Sequence, residues 1–124
     1  MNADRLLRLA LIVVGVIFIF GIYVLGMVWP SGWIWGHGHS HYLPMIIGIY
    51  ATLGVFLLLA SRNPSAHRSL IWFTVWSSIV HGAIMAAQSF RDPMEKGHLI
   101  GDVAALFFVA ILLGVLMQRA GKTT

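Results

Sequence analysis

Four stretches of about 20 residues carry almost no charge, and they decide what this chain can become. Leu9–Val28 and Tyr42–Ala60 contain no charged residue. Ser69–Phe90 has none either, although it includes His81 and Gln88. Leu99–Gln118 carries a single charge, Asp102. A helix of about 20 residues crosses ~30 Å of hydrocarbon. An open strand would leave its backbone groups unpaired in lipid, so helix is the expected form. The expectation is an all-α, four-helix transmembrane bundle of two antiparallel hairpins, forming one domain over residues 1–124. The helices are expected near 6–28, 42–61, 64–90 and 93–118.

The rest of the composition agrees. Of the 124 residues, 59% are hydrophobic and 10% are charged. A soluble domain carries about 25% charged residues, so the main solvent of this chain is lipid. The net charge of +4 would suit nucleic acid in a soluble protein. Here the basic residues flank the apolar runs, so they report topology and no nucleic-acid partner is expected. The absence of cysteine removes thiolate chemistry and Cys-ligated metals.

Orientation follows from the same basic residues. Arg5 and Arg8 precede the first run, Arg62 and Arg68 separate the second and third, and Arg119 and Lys122 follow the fourth. Only Arg91 and Lys96 lie on the other side, beside Asp92 and Glu95. The bias places both termini in the cytoplasm, consistent with a multi-pass protein of a bacterial inner membrane. The first run is too long for a signal peptide and lacks a clear cleavage pattern, so it reads as a retained helix. Trp29, Trp33, Trp35 and Tyr42 then form an aromatic belt at the outer interface.

Local signals mark the helix starts. Asn63-Pro64 can cap the third helix, with proline at its first position. Asp92-Pro93-Met94-Glu95 reads as a capping box. No GxxxG pair lies within an apolar run, but Gly82, Ala83, Ala86 and Ala87 would let the third helix pack closely.

Asp102 is the strongest chemical signal. A charge inside a span costs about 2.5 kcal/mol or more, so this carboxylate is expected to face the bundle interior. Glu95, His98 and Asp102 are spaced i, i+3, i+7 and share one helical face. On the preceding helix Thr74, Ser77, Ser78, His81, Met85 and Gln88 form a polar stripe. With the hairpin pivot near Arg91–Asp92, Gln88 falls level with Glu95, Met85 with His98, and His81 with Asp102. The two stripes are therefore expected to share a cavity, with a His81–Asp102 hydrogen bond.

Several chemistries remain open for that cluster. It can be interhelical glue worth ~0.6–2 kcal/mol, or a proton-accepting or small-ligand site. It can also be a metal shell using His81, His98 and Asp102. The loop His37, His39 and His41 offers a second ligand set for Cu or Zn. Met27, Met45, Met85 and Met94 lie toward the same side and favour Cu(I). A haem bridged by His81 and a second histidine is a further alternative. Glu95-x-x-His98 matches the Glu-x-x-His element of di-iron bundles, but a di-iron centre needs a second such element. Tyr23, Tyr50, Trp72 and Trp76 are packing residues that can also line a pocket for a lipid-soluble molecule.

One further signal is a likeness. Met45–Ala51 followed by Leu53-Gly54, Asn63-Pro64 leading to His67, and Trp76-Ser77-Ser78 with His81, Met85 and Gln88 are its first parts. His98-Leu99-Ile100-Gly101-Asp102-Val103 completes it. Together they resemble small bacterial four-helix membrane proteins of unknown function, similar in architecture to the DoxX-like group. The resemblance implies a fold and no activity. Two classes of function stay open besides ligand binding. One is an accessory subunit of a larger membrane complex or homo-oligomer. The other is a membrane enzyme or carrier, for which the sequence shows no complete catalytic set.

Overall fold

In the computed structural model, residues 2–34 and 41–122 are described, and all regular structure among them is helical. Helix α1 runs Ala3–Val28. The one-turn helix α2 is Pro30–Trp33. Helix α3 is Tyr42–Ala60, α4 is Arg68–Arg91 and α5 is Asp102–Lys122. A 3-10 turn, Pro64–His67, leads into α4, and a longer 3-10 segment, Pro93–Leu99, leads toward α5. Three helical stretches are long and apolar enough to cross a membrane: Ala3–Val28, Pro64–Arg91 and Pro93–Ala120. Pro44–Ala60 is a shorter apolar helix.

The helices pack by period. Leu7, Leu11, Val14 and Phe18 of α1 recur every three or four residues and are buried. On α5, Val109, Ala110, Leu113, Leu116 and Met117 are buried. These meet Leu57 and Ala60 of α3 and Ile71 and Val75 of α4 in one apolar core. The opposite faces expose Phe20, Phe73, Trp76, Phe108 and Ile111, which is the inverse of a water-facing surface and suits lipid.

Glycines set two close approaches. Gly15 of α1 and Gly54 of α3 cross backbone to backbone, and a Cβ on Gly54 would lie 2.5 Å from the Gly15 carbonyl oxygen. Gly82 of α4 lies beneath the Phe107 ring of α5. The α4–α5 hairpin is closely packed, and α1 lies against both α3 and α5. Helix α3 touches α4 only sparingly, which leaves a gap between them.

Polar groups secure the end where α1 begins and α3 finishes. Arg8 pairs with Asp4 at 3.0 Å and donates to the carbonyl oxygens of Ser61 and Arg62. The guanidinium thus occupies the C-terminal end of α3, where carbonyls lack helical partners. Asn2 caps α1 by accepting from the Arg5 amide.

Three local expectations need correction. Asn63 makes no side-chain cap; its Oδ1 instead accepts from Ser65 Oγ at 2.9 Å. Asp92 does cap its segment, accepting from the Met94 amide at 3.0 Å. The capping box is nevertheless incomplete, because the Glu95 side chain turns toward His98. The last helical stretch is also not one uniform α-helix from Pro93. It is 3-10 to Leu99, turns at Ile100–Gly101, and restarts as α5 at Asp102.

Helix α1 contains one departure from α geometry. Ile17–Gly21 forms a π turn directly above the Gly15–Gly54 crossing. Such turns concentrate near functional sites. Here Ile17 and Phe18 form part of a cavity wall.

Candidate functional site

The break before α5 explains how the chain accommodates Asp102. The residue lies in the first turn of α5, where the helix dipole favours negative charge. It is 8% exposed and receives a hydrogen bond on Oδ1 from His98 Nδ1 at 2.9 Å. The His98 ring is fully buried. Its Nε2 donates to the Ile34 carbonyl at 3.0 Å and lies 2.9 Å from Glu95 Oε2. A carbonyl can only accept, so Nε2 carries a proton. A second proton then lies between Nδ1 and Asp102 Oδ1. Glu95, His98 and Asp102 thus form a line of acid, imidazole and acid that runs from the 3-10 segment into the first turn of α5.

Glycine makes this line reachable from α2. A Cβ on Gly97 would lie 2.5 Å from the Ser31 carbonyl oxygen, and one on Gly101 would lie 2.2 Å from that of Gly32. With hydrogen alone at both positions, the Pro30–Trp33 turn settles onto the 3-10 segment. That contact brings the Ile34 carbonyl over the imidazole.

Asp102 also faces a cavity of about 310 Å³. Its walls are mainly apolar, supplied by Phe18 and Ile22 of α1, Ile46 and Ile47 of α3, and Leu106 and Val109 of α5. His81, Met85 and Gln88 enter from α4, Tyr50 from α3 and Trp33 from α2. The Tyr50 hydroxyl and His81 Nδ1 are hydrogen-bonded across the α3–α4 gap. The two rings lie 5.7 Å apart and 24° from parallel, and Tyr50 also meets Phe18 edge-on at 5.0 Å. Asp102 acts electrostatically on both Tyr50 and His81. Trp33 Nε1 is buried without a hydrogen-bond partner among the described residues. Exposed residues on the wall, including Tyr42, Gln88 and Phe108, open the cavity to the surroundings.

The two polar stripes therefore divide. His81, Met85, Gln88 and Asp102 do line one cavity, as their depths suggest. The imidazole hydrogen-bonded to Asp102 is that of His98, while His81 is paired with Tyr50. Local spacing wins because His98 and Asp102 are four residues apart, on either side of the short Ile100–Gly101 turn. Lower on α4, Thr74 and Ser77 hydrogen-bond to carbonyls of their own helix. That part of the stripe satisfies itself locally.

Among the described residues no group of three or more His, Asp or Glu is arranged to hold a metal. The physical reason is visible at His98, whose two nitrogens point in opposite directions to separate oxygens. The carboxylates lie on either side of the ring and share no common point with it. His81 Nδ1 is likewise engaged by Tyr50. The expected loop ligands His37 and His39 lie outside the described residues, and His41 stands exposed before α3.

Trp33, Gly32, Gly97 and Gly101 were not legible as site residues from the sequence. One signal was present: Gly97 and Gly101 form a GxxxG pair that begins two residues before the last apolar run. Residues 2–124 match a family described as a family of unknown function, DUF6632. No curated protein and no solved structure matches the chain.

Proposed function

We propose that this chain, which belongs to the family DUF6632, is a four-span membrane protein that binds a small organic ligand in its interhelical cavity. The carrying observation is the placement of Asp102 and the Tyr50–His81 pair on the wall of one otherwise apolar cavity. Pockets of this kind bury an apolar ligand and orient it with a few polar groups. At about 310 Å³ the volume is at the small end of such sites. The sparse α3–α4 contact supports entry from within the bilayer. Both termini lie on the cytoplasmic side of a bacterial inner membrane, by the bias of basic residues toward that end. The cavity then lies in the outer half, and Glu95 meets the outer aqueous side.

The test is purification in mild detergent, followed by organic extraction and mass spectrometry of whatever remains bound. Ala105 lines the cavity, so Ala105→Phe fills it. The expected result is a specific compound retained by the natural chain and lost by Ala105→Phe. Folded protein that neither retains a compound nor takes one up saturably from a panel of small organic molecules overturns the reading.

A further inference from the structure

The charge pattern of the cavity narrows the ligand class. Among the described residues, Asp102 is the one acidic residue on its wall, and no lysine or arginine stands there. Phe18, Trp33, Tyr42, Tyr50 and Phe108 supply aromatic surface. A carboxylate with aromatic faces is a setting for a positive charge carried on an apolar body. An anion would meet Asp102 with no lysine or arginine among the described residues of the wall to offset it.

The charge line behind Asp102 supplies the counterpart. Two protons lie between the His98 ring and its oxygen partners on Asp102, Ile34 and Glu95. Among the described residues, the other titratable groups on the cavity wall are Tyr42 and Tyr50 from α3 and His81 from α4, and the backbone of the α2 turn meets the imidazole. A cation arriving beside Asp102 repels the charge of a protonated imidazole. The proton has a short way out, since Nε2 lies 2.9 Å from Glu95 Oε2 and the Glu95 side chain is 12% exposed.

We propose that the cavity takes a small organic cation, of the substituted ammonium class, in exchange for a proton carried by Glu95, His98 and Asp102. This rests on the reading of the cavity as a ligand site and specifies its ligand. The exchange balances without electron transfer. The cation enters with its charge, Nε2–H passes its proton to Glu95 and then to water, the hydrogen bond from Nε2 to the Ile34 carbonyl is given up, and the ring keeps Nδ1–H on the Asp102 carboxylate.

A matched pair of probes tests this on the full chain in detergent. Benzyltrimethylammonium and neopentylbenzene share one shape and differ in charge. Equilibrium dialysis against protein-free micelles measures saturable binding, and a weakly buffered solution reports proton release. The cation is expected to bind at least about tenfold more tightly than its neutral isostere. About one proton should appear per cation bound. Asp102→Asn should abolish the preference for the cation, and Glu95→Gln should slow proton release. Equal binding of both probes, or a preference for neopentylbenzene, overturns the cation class and leaves the cavity reading standing. Cation binding without proton release overturns the exchange. Binding of neither probe overturns the proposal, while a native compound retained by the natural chain and lost by Ala105→Phe would still support the cavity reading. The comparison of probes on the natural chain decides the matter even if a variant fails to fold.

Discussion

Gly101 lies directly against Gly32, so close that a Cβ on Gly101 would stand 2.2 Å from the Gly32 carbonyl oxygen. The contact is between backbones, and no flexible side chain is available to yield. Gly101→Ala should therefore destabilise the fold by about 1–3 kcal/mol. Gly48 has nothing within 4 Å of its added Cβ, so Gly48→Ala should stay within about 0.5 kcal/mol of the natural chain. Unfolding in mixed detergent measures both. Equal losses at the two glycines would contradict the packing of α2 on the 3-10 segment.

Removing the imidazole from the buried line should cost more than removing either acid. His98→Ala leaves Asp102 without its Nδ1 donor and Ile34 without its Nε2 donor. A loss of about 3–5 kcal/mol is expected, as for a broken buried ion pair. Asp102→Asn keeps an oxygen that can accept from Nδ1, so its loss should be smaller. Glu95→Gln should be the mildest, since its side chain reaches the rim. The same unfolding assay reads the order, and a His98→Ala loss below that of Glu95→Gln would contradict it.

Tyr50→Phe separates the hydroxyl from the ring. The edge contact with Phe18 survives and the hydrogen bond to His81 does not. The expected stability loss is about 1 kcal/mol. Nitrogen NMR should show His81 Nδ1 as an unprotonated acceptor in the natural chain, with a clear change in Tyr50→Phe. An Nδ1–H signal in the natural chain would reverse the direction of this bond.

Topology can be read with reporters. Fusions at Thr124 should be active for a cytoplasmic reporter and silent for an exported phosphatase. Insertion within residues 35–40 should give the opposite pair. The same answer at both places would rule out the two-hairpin arrangement.

The sequence made the helical character legible because lipid leaves a one-dimensional mark, a long run without charge. It also placed His81, Met85, Gln88 and Asp102 in one space, since helical spacing and distance from a hairpin turn fix face and depth. Spacing could not reveal which imidazole Asp102 engages. Spacing groups Glu95, His98 and Asp102 on one face, yet depth from the hairpin turn pairs Asp102 with His81 of the facing helix. Ile34 and Trp33 were hidden for another reason. Their roles depend on a backbone carbonyl and on the descent of a one-turn helix onto two glycines, and neither leaves a pattern of polar residues.

The π turn at Ile17–Gly21 has a mechanical consequence for the whole assembly. It holds more residues in a turn than the α-helix on either side, so the two halves of α1 are rotated out of phase with each other. The lower half is anchored by Arg8 and the Gly15–Gly54 crossing. The upper half carries the chain into Trp29, Pro30 and the carbonyl that steadies His98. Excising one residue from that turn would rotate everything above it by about 100° relative to everything below. The aim of the Ile34 carbonyl is thus set 13 or more residues upstream, by the angular offset built into the membrane helix.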